Sequence, residues 1–257
     1  MKKSQKSGAS GKVVRRNDGR RVDELRPVKI TRHFTCYAPG SVLIEMGQTR
    51  VLCTAMYEAG VPAWRKGSGK GWVSAEYGML PSSTPERKRR SEGKTDGRSQ
   101  EIQRLVGRAL RAVVDMDVMG ENSMWIDCDV LQADGGTRTA SITGAYAALV
   151  DAVECAMKAG IFAKNPIKSS VAAISAGIVC GRVLLDLDYS EDSVAEVDFN
   201  VVMTGKGELV EVQGTAEHGT FSAKELQQIL GVAGKGIRKL LTIQKQSFNK
   251  DKPGKRK

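Results

Sequence analysis

Residues 127–144 read DCDVLQADGGTRTASITG, an apolar strand running through a Gly-Gly-Thr-Arg turn into a long helix. Met124 to Leu131 has the strand pattern. From Thr139 to about Lys158 small and apolar residues recur at helical spacing, and Ala140, Ala147, Ala148, Ala152 and Ala156 permit close approach to a neighbouring surface, which predicts a buried helix. Gly135 and Gly136 allow a tight bend. Thr137 and Thr139 supply hydroxyls and Arg138 a planar cation, all beside the unpaired N–H groups of a helix N-terminus. That combination suits a phosphate, although an ordinary strand-to-helix turn with a solvated arginine has the same letters.

Outward from this turn, the chain alternates strands with long helices. Ser41–Met46 and Thr49–Met56 predict a hairpin through Gly47-Gln48; Val171–Val179 and Arg182–Leu187 predict a second, and Val194–Met203 with Leu209–Gln213 a third. Ser99–Met116 is amphipathic, with Ser99 as N-cap, Arg98 at the helix mouth, and Arg104, Arg108 and Arg111 on the polar face. Ser222-Ala-Lys-Glu225 is a capping box opening a helix whose apolar face runs from Leu226 to Leu241. No composition break divides the chain, so one α+β domain over residues 16–246 is expected, between a basic leader (1–15) and a basic tail (247–257), both disordered by composition.

The 257 residues carry a net charge of +11, of which residues 1–21 hold +7 and residues 245–257 hold +5, leaving −1 for the chain between them. The basicity therefore sits mostly in the tails, which can attract a polyanion such as RNA or merely solubilise the protein. Pro81 to Arg98 is polar and exposed by pattern, and Arg87, Lys88, Arg89 and Arg90 form its basic cluster. Trp64 and Trp72 lie among Arg65, Lys66 and Lys70, where they can stack on bases or anchor a loop. Five separated cysteines and two histidines give no zinc pattern. No apolar run approaches a membrane span and the N-terminus has no apolar secretion segment; the expectation is a cytoplasmic protein without a membrane partner.

A second anchor lies at 186–200, where Asp186, Asp188, Glu191, Asp192, Glu196 and Asp198 crowd an otherwise apolar region. Carboxylates converging there repel one another unless a cation or a shared proton intervenes, and Mg2+ needs only one or two carboxylates plus substrate phosphate oxygens. In a strand Glu196, Asp198 and Asn200 share a face, with Asp192 reaching in from the preceding turn.

With these blocks in hand the sequence resembles the bacterial ribonuclease PH family of phosphate-dependent exoribonucleases, also called tRNA nucleotidyltransferases. The resemblance runs from about Arg16 to Gln246 and rests on RNDGRRVDELRPVKI, GSVLIEMGQTRVLCTA, GWVSAEYGMLPSST, GRSQEIQRLVGRALR, DCDVLQADGGTRTASITGAY, EDSVAEVDFNVVMT and EVQGTAE. It implies a fold of two βαβα-like halves with mixed sheets packed on helices. It implies inorganic phosphate as co-substrate, held by Arg98, Gly136, Thr137 and Arg138, and Mg2+ held by Asp192 and Asp198, with Arg98, Arg138, Asp192 and Asp198 as the catalytic set. Asn200 stands where related phosphorylases carry a lysine two positions after the second aspartate, and Lys206 is the nearby lysine. Arg87 to Arg90 match the family's loop that grips RNA. The implied activity is reversible 3′-to-5′ phosphorolysis of tRNA precursors and other RNAs, ribosomal RNA included, releasing nucleoside 5′-diphosphates, in a homohexamer built as a trimer of dimers. Two competing classes are a silent RNA-binding ring subunit, which would not need both arginines and both aspartates, and a Mg2+-dependent hydrolase, which would release monophosphates and would not need a phosphate site.

Overall fold

The computed structural model describes residues 16–89, 96–217 and 219–250. The expected leader 1–15, Arg90 and the tail from residue 251 lie outside the described residues. In chain order the elements are β1 (Val28–Arg32), β2 (Gly40–Met46), β3 (Thr49–Ala59), β4 (Trp72–Met79), α1 (Gly97–Arg111), α2 (Met116–Met119), β5 (Asn122–Gln132), α3 (Thr137–Lys158), β6 (Val171–Val179), β7 (Arg182–Leu185), α4 (Tyr189–Asp192), β8 (Val197–Thr204), β9 (Leu209–Ala216) and α5 (Ala223–Lys250).

Two sheets result. The first has the order β1-β2-β3-β5-β4, with β4 parallel to β5 and the other pairs antiparallel. The second, β7-β6-β8-β9, is antiparallel throughout. The first half contains the β-α-β-α order as β4-α1-β5-α3 (α2 following α1), and the second runs β7-α4-β8-β9-α5, with one more strand before its last helix. The first hairpin follows the alternation of its residues: Val42, Ile44 and Met46 pack inward opposite Cys53, Val51 and Thr49, and the two-residue turn passes through Gly47 at φ +58°.

Helix α3 lies between the sheets and its small residues set the spacing. The α-hydrogen of Gly144 faces Ile44 and Cys53 on the first sheet, so closely that a Cβ would lie 2.7 Å from Ile44 Cγ2. On the other side Thr143 Oγ1 donates to Ala173 O at 3.2 Å and accepts from Ala173 N at 3.1 Å, stitching the helix to β6. Gln244 of α5 donates to Thr143 O and Val171 O, closing the stack from outside. One apolar cluster consequently joins both sheets, from Val42 and Ile126 through Ala145 and Leu149 to Ile174, Val201 and Ile237. Its 22 residues and mean hydropathy of 1.2 make α3 long and apolar enough to cross a membrane, contrary to the expectation that no run approaches that length. Yet 78% of its apolar window is buried within the protein, as the core position of the helix requires.

Several element ends differ from expectation for local reasons. Asp96, not Ser99, caps α1, its carboxylate accepting from Ser99 N at 2.6 Å, so the helix starts at Gly97. The sequence pattern gave no strand at β4, whose residues 72–79 include Gly78 and follow a glycine-rich loop; pairing with β5 imposes the strand. Helix α5 runs to Lys250, four residues past the expected boundary, because Ser247 is buried and Phe248 packs on the core and under the Arg32 guanidinium. Trp72 meets Trp64 edge to face at 4.7 Å, with Arg65 and Arg111 over its ring, a cluster that pins the 62–71 loop to α1 while leaving Trp64 66% exposed.

Candidate active site

The Gly-Gly-Thr-Arg turn ends β5 and opens α3. Gly135 and Gly136 take φ of +72° and +65°, a region that strains other residues, and a Cβ on Gly135 would lie 2.6 Å from Leu187 O. The segment entering α4 is packed against this glycine, and Tyr189 N donates to the Asp134 carboxylate at 3.3 Å. Gly136 occupies the N-cap of α3 and provides no side-chain cap. In contrast Asp96, Asp115, Asp188 and Ser222 accept backbone N–H bonds at the starts of α1, α2, α4 and α5. The first N–H groups of the most buried helix thus keep their capacity to bind an anion, beside Arg138. Thr137 is buried, and its hydroxyl is 2.9 Å from the Tyr77 hydroxyl.

The six carboxylates of the acidic stretch do not all converge. Asp186 binds Arg26, accepting from its backbone N at 2.7 Å and from its guanidinium at 2.7 and 3.2 Å. Glu191 binds Arg16 and forms a capping box with Asp188, while Glu196 accepts from Gly181 N at the β6–β7 turn. Glu196 lies one residue before β8 begins, and its carboxylate is engaged at that turn. Asp192, at the end of α4, Asp198, near the start of β8, and Glu196 have no ion-pair partner among the described residues, but Glu196 is held at the β6–β7 turn by a backbone N–H; Asp198 accepts one bond, from Asn200 Nδ2 at 3.3 Å. Burial raises the pKa of Asp192, against the lowering fields of Arg138, Arg98 and Arg26. Burial, and then the Asp192 charge, push the Asp198 carboxyl up to about 6, while Arg138, the Asn200 bond and Arg98 pull it back.

Both arginines thus exert their field on both aspartates, and the structure brings these four residues to one place. Arg98 projects from the first turn of α1, and Arg138 Nη1 donates to Gln213 Oε1 of β9 at 2.9 Å. Arg87, Lys88 and Arg89 are exposed in the loop after β4, at the site end of the first sheet, where Ser83 O accepts from Ala133 N. Lys206 is not brought in: it sits in the β8–β9 turn, and Asp198 to Thr204 alone spans about 20 Å of extended strand. Among the described residues no three His, Cys, Asp or Glu side chains gather as a metal cage. Two half-buried, mutually repelling carboxylates with hard oxygens fit a Mg2+ that takes its remaining ligands from water and substrate.

The sequence patterns missed the groups that hold this arrangement. Arg26 reaches across the halves from the segment before β1 and donates to the carbonyls of Asp134 and Gly135, fixing the turn while it grips Asp186. Leu-Arg-Pro at 25–27 was the only local sign of it. Tyr77 and Gln213 lie inside motifs already singled out, but nothing in their spacing marked them.

An uncapped helix mouth with an arginine beside two carboxylates that have no ion-pair partner suits phosphate and a cation side by side, and the fold narrows the class. The chain superposes on the chain of an Archaeoglobus fulgidus exosome with RNA bound to the active site at a TM-score of 0.77, covering 89% of this chain and 92% of that one at 24% identity. Rice Rrp46 superposes at 0.74, with 90% and 99% covered at 20% identity. These likenesses establish the ribonuclease PH-like α+β fold. Residues 24–153 match the family model for domain 1 of the 3′ exoribonuclease family and residues 169–236 the model for domain 2, and the chain belongs to that family. A ribonuclease PH from Corynebacterium kroppenstedtii is 55% identical over 240 residues, 93% of this chain and 94% of that protein.

Proposed function

We propose that the site assembled by Arg98, the turn at Gly136 to Arg138, Asp192 and Asp198 performs phosphorolysis of RNA from its 3′ end. The chain is a phosphorolytic 3′ exoribonuclease and tRNA nucleotidyltransferase with inorganic phosphate as co-substrate, as family membership and 55% identity to a ribonuclease PH support. The observation that carries the residue assignment is the uncapped start of α3 lying with Arg138 and Arg98 in the field of two half-buried carboxylates.

Arg98, Arg138, the Thr137 hydroxyl and the free N–H groups of α3 hold the phosphate, and one of its oxygens attacks the last phosphodiester in line. The bond from that phosphorus to the penultimate 3′ oxygen breaks, giving a nucleoside 5′-diphosphate and an RNA one residue shorter. Positioning and charge compensation supply the catalysis, with no covalent nucleophile. Asp192 and Asp198 would hold Mg2+, which when bound supplies positive charge to the scissile phosphate and the leaving oxygen. Arg87, Lys88 and Arg89, joined by Arg90, bind the incoming RNA strand through its phosphates, a salt-sensitive grip suited to the 3′ ends of tRNA and ribosomal RNA precursors. The reading extends to a cytoplasmic homohexamer, a trimer of dimers, which light scattering on the purified protein tests.

The experiment is incubation of the protein and Mg2+ with a tRNA bearing extra 3′ nucleotides, with and without phosphate. Diphosphates released only with phosphate support the reading; phosphate-independent monophosphates refute it. Arg138→Ala should lose about 10²-fold or more at limiting phosphate, and an unchanged rate would remove Arg138 from the phosphate site.

A further inference from the structure

Arg138 donates from Nη1 to Gln213 Oε1 at 2.9 Å, and Gln213 Nε2 in turn donates to Glu101 Oε1. The amide has a single possible orientation here. A guanidinium has only donors and a carboxylate only acceptors, so the oxygen must face Arg138 and the nitrogen must face Glu101. Glu101 lies three residues after Arg98 on α1, on the same side of the helix. Gln213 lies directly across the β8–β9 ladder from Asn200, the residue that bonds Asp198, so both project from the same face of the second sheet. One amide thereby connects β9 to the two helices carrying the phosphate-site arginines, beside the strand carrying Asp198.

We infer that Gln213 is the positioning residue for Arg138, a neutral acceptor that fixes the guanidinium in place without cancelling the charge that phosphate requires. This rests on the assignment of Arg138 to the phosphate site. A carboxylate at position 213 would orient Arg138 equally well but would occupy it with a permanent counter-ion. An apolar side chain would leave the charge free and the geometry loose. Glutamine alone of the three supplies direction and leaves the cation uncompensated. Its other end matters as well: the amide nitrogen gives the Glu101 carboxylate a partner other than the arginines. Among the described residues neither Arg98 nor Arg138 is ion-paired, although Arg108, farther along α1, binds Glu211 of the same strand β9 at 2.5 Å. The contrast between Glu211 and Gln213, two positions apart on one strand, follows the need: a carboxylate where an arginine is an anchor, an amide where an arginine must stay available.

The test is steady-state phosphorolysis of an RNA with a single-stranded 3′ end, varying phosphate, for the full chain and for Gln213→Glu, Gln213→Met and Arg138→Ala, with thermal unfolding of each. Gln213→Glu is expected to raise the phosphate KM about tenfold or more while kcat at saturating phosphate stays within about threefold, because the new carboxylate competes with phosphate for Arg138. Gln213→Met is expected to raise it less, about threefold to fivefold, with the same preservation of kcat. The unfolding temperature should stay near that of the wild type in both. If Arg138→Ala raises the phosphate KM but both Gln213 variants leave it within about twofold, Gln213 is not a positioning residue and the phosphate site stands. Parallel losses of kcat and unfolding temperature without a selective KM change would make it a structural strut and overturn the inference. An unchanged phosphate KM in Arg138→Ala would sink the phosphate assignment and this inference with it.

Discussion

Replacing Asp186 with Asn isolates what the buried ion cluster contributes. Asp186 is fully buried and takes three bonds from Arg26, whose side chain is itself 4% exposed; Arg20 lies 3.6 Å away on the other side. Asparagine keeps the volume and tolerates the φ of +55° at this position, so the change removes charge and little else. Two guanidinium groups are then left in the interior with reduced compensation. Breaking a buried pair from one side costs about 3–5 kcal/mol, and since the amide oxygen still accepts a bond the lower end applies, about 3 kcal/mol. For a domain of this size that is a fall of roughly 6–12 °C in the unfolding temperature. Arg26→Met should cost a similar amount, and the double variant should cost about 2 kcal/mol less than the sum, because the two groups compensate each other. Urea unfolding followed by tryptophan fluorescence, at fixed protein concentration, reads all four corners of the cycle. A loss below about 1 kcal/mol for Asp186→Asn, or strict additivity in the double variant, would refute the role given to this pair. Only Arg26→Met should also raise the phosphate KM strongly, since it releases the carbonyls of Asp134 and Gly135.

Two further outcomes are expected. Asp198 has its pKa raised from 3.8 to about 6, so between those values the folded protein holds more protons than the unfolded chain. The Mg2+-free protein should therefore lose stability as pH rises through that window, by up to about 3 kcal/mol, and Asp198→Asn should flatten the slope; urea unfolding in chelator from pH 4 to 7 checks this, and an identical slope in the variant counts against it. Gly135→Ala combines a left-handed φ with a Cβ 2.6 Å from Leu187 O, so it should cost about 2–3 kcal/mol and displace the segment leading to α4. A urea midpoint unchanged from wild type would show that the turn accommodates the methyl group.

What could be read from the letters was whatever is local. The Gly-Gly-Thr-Arg turn, the two-residue turn after Met46, the Ser222–Glu225 capping box and the small-residue face of α3 each follow from a few neighbouring side chains, and each forms where its residues dictate. Strand β4 was not legible because its strand character comes from pairing with β5, some fifty residues later in the chain. Composition showed six carboxylates between 186 and 198 without showing which are committed. Asp186 and Glu191 are taken by Arg26 and Arg16, separated from them by 160 and 175 residues. Local spacing contains no trace of such partners.

The same comparison explains why the site is reactive. Around it, charges of opposite sign are paired: Arg16 with Glu191, Arg26 with Asp186, Arg108 with Glu211. At its centre they are kept apart. Arg138 is given an amide, Asp198 is given an amide, and Asp192 has no ion-pair partner among the described residues, although each lies within the field of the others. Direct pairing would be the lower-energy arrangement for the empty protein, and it would leave nothing with which to bind a phosphate or a cation. The fold prevents it by placing the cations on α1 and α3 and the carboxylates on α4 and β8, with the two halves locked by Arg26 and Gln213. Burial raises both carboxyl pKa values, and the fields of Arg138 and Arg98 pull them back only in part. On the proposed reading, phosphate at the arginines and a cation at the aspartates would compensate these charges, and the arrangement that weakens the empty protein would be the one that binds its substrates.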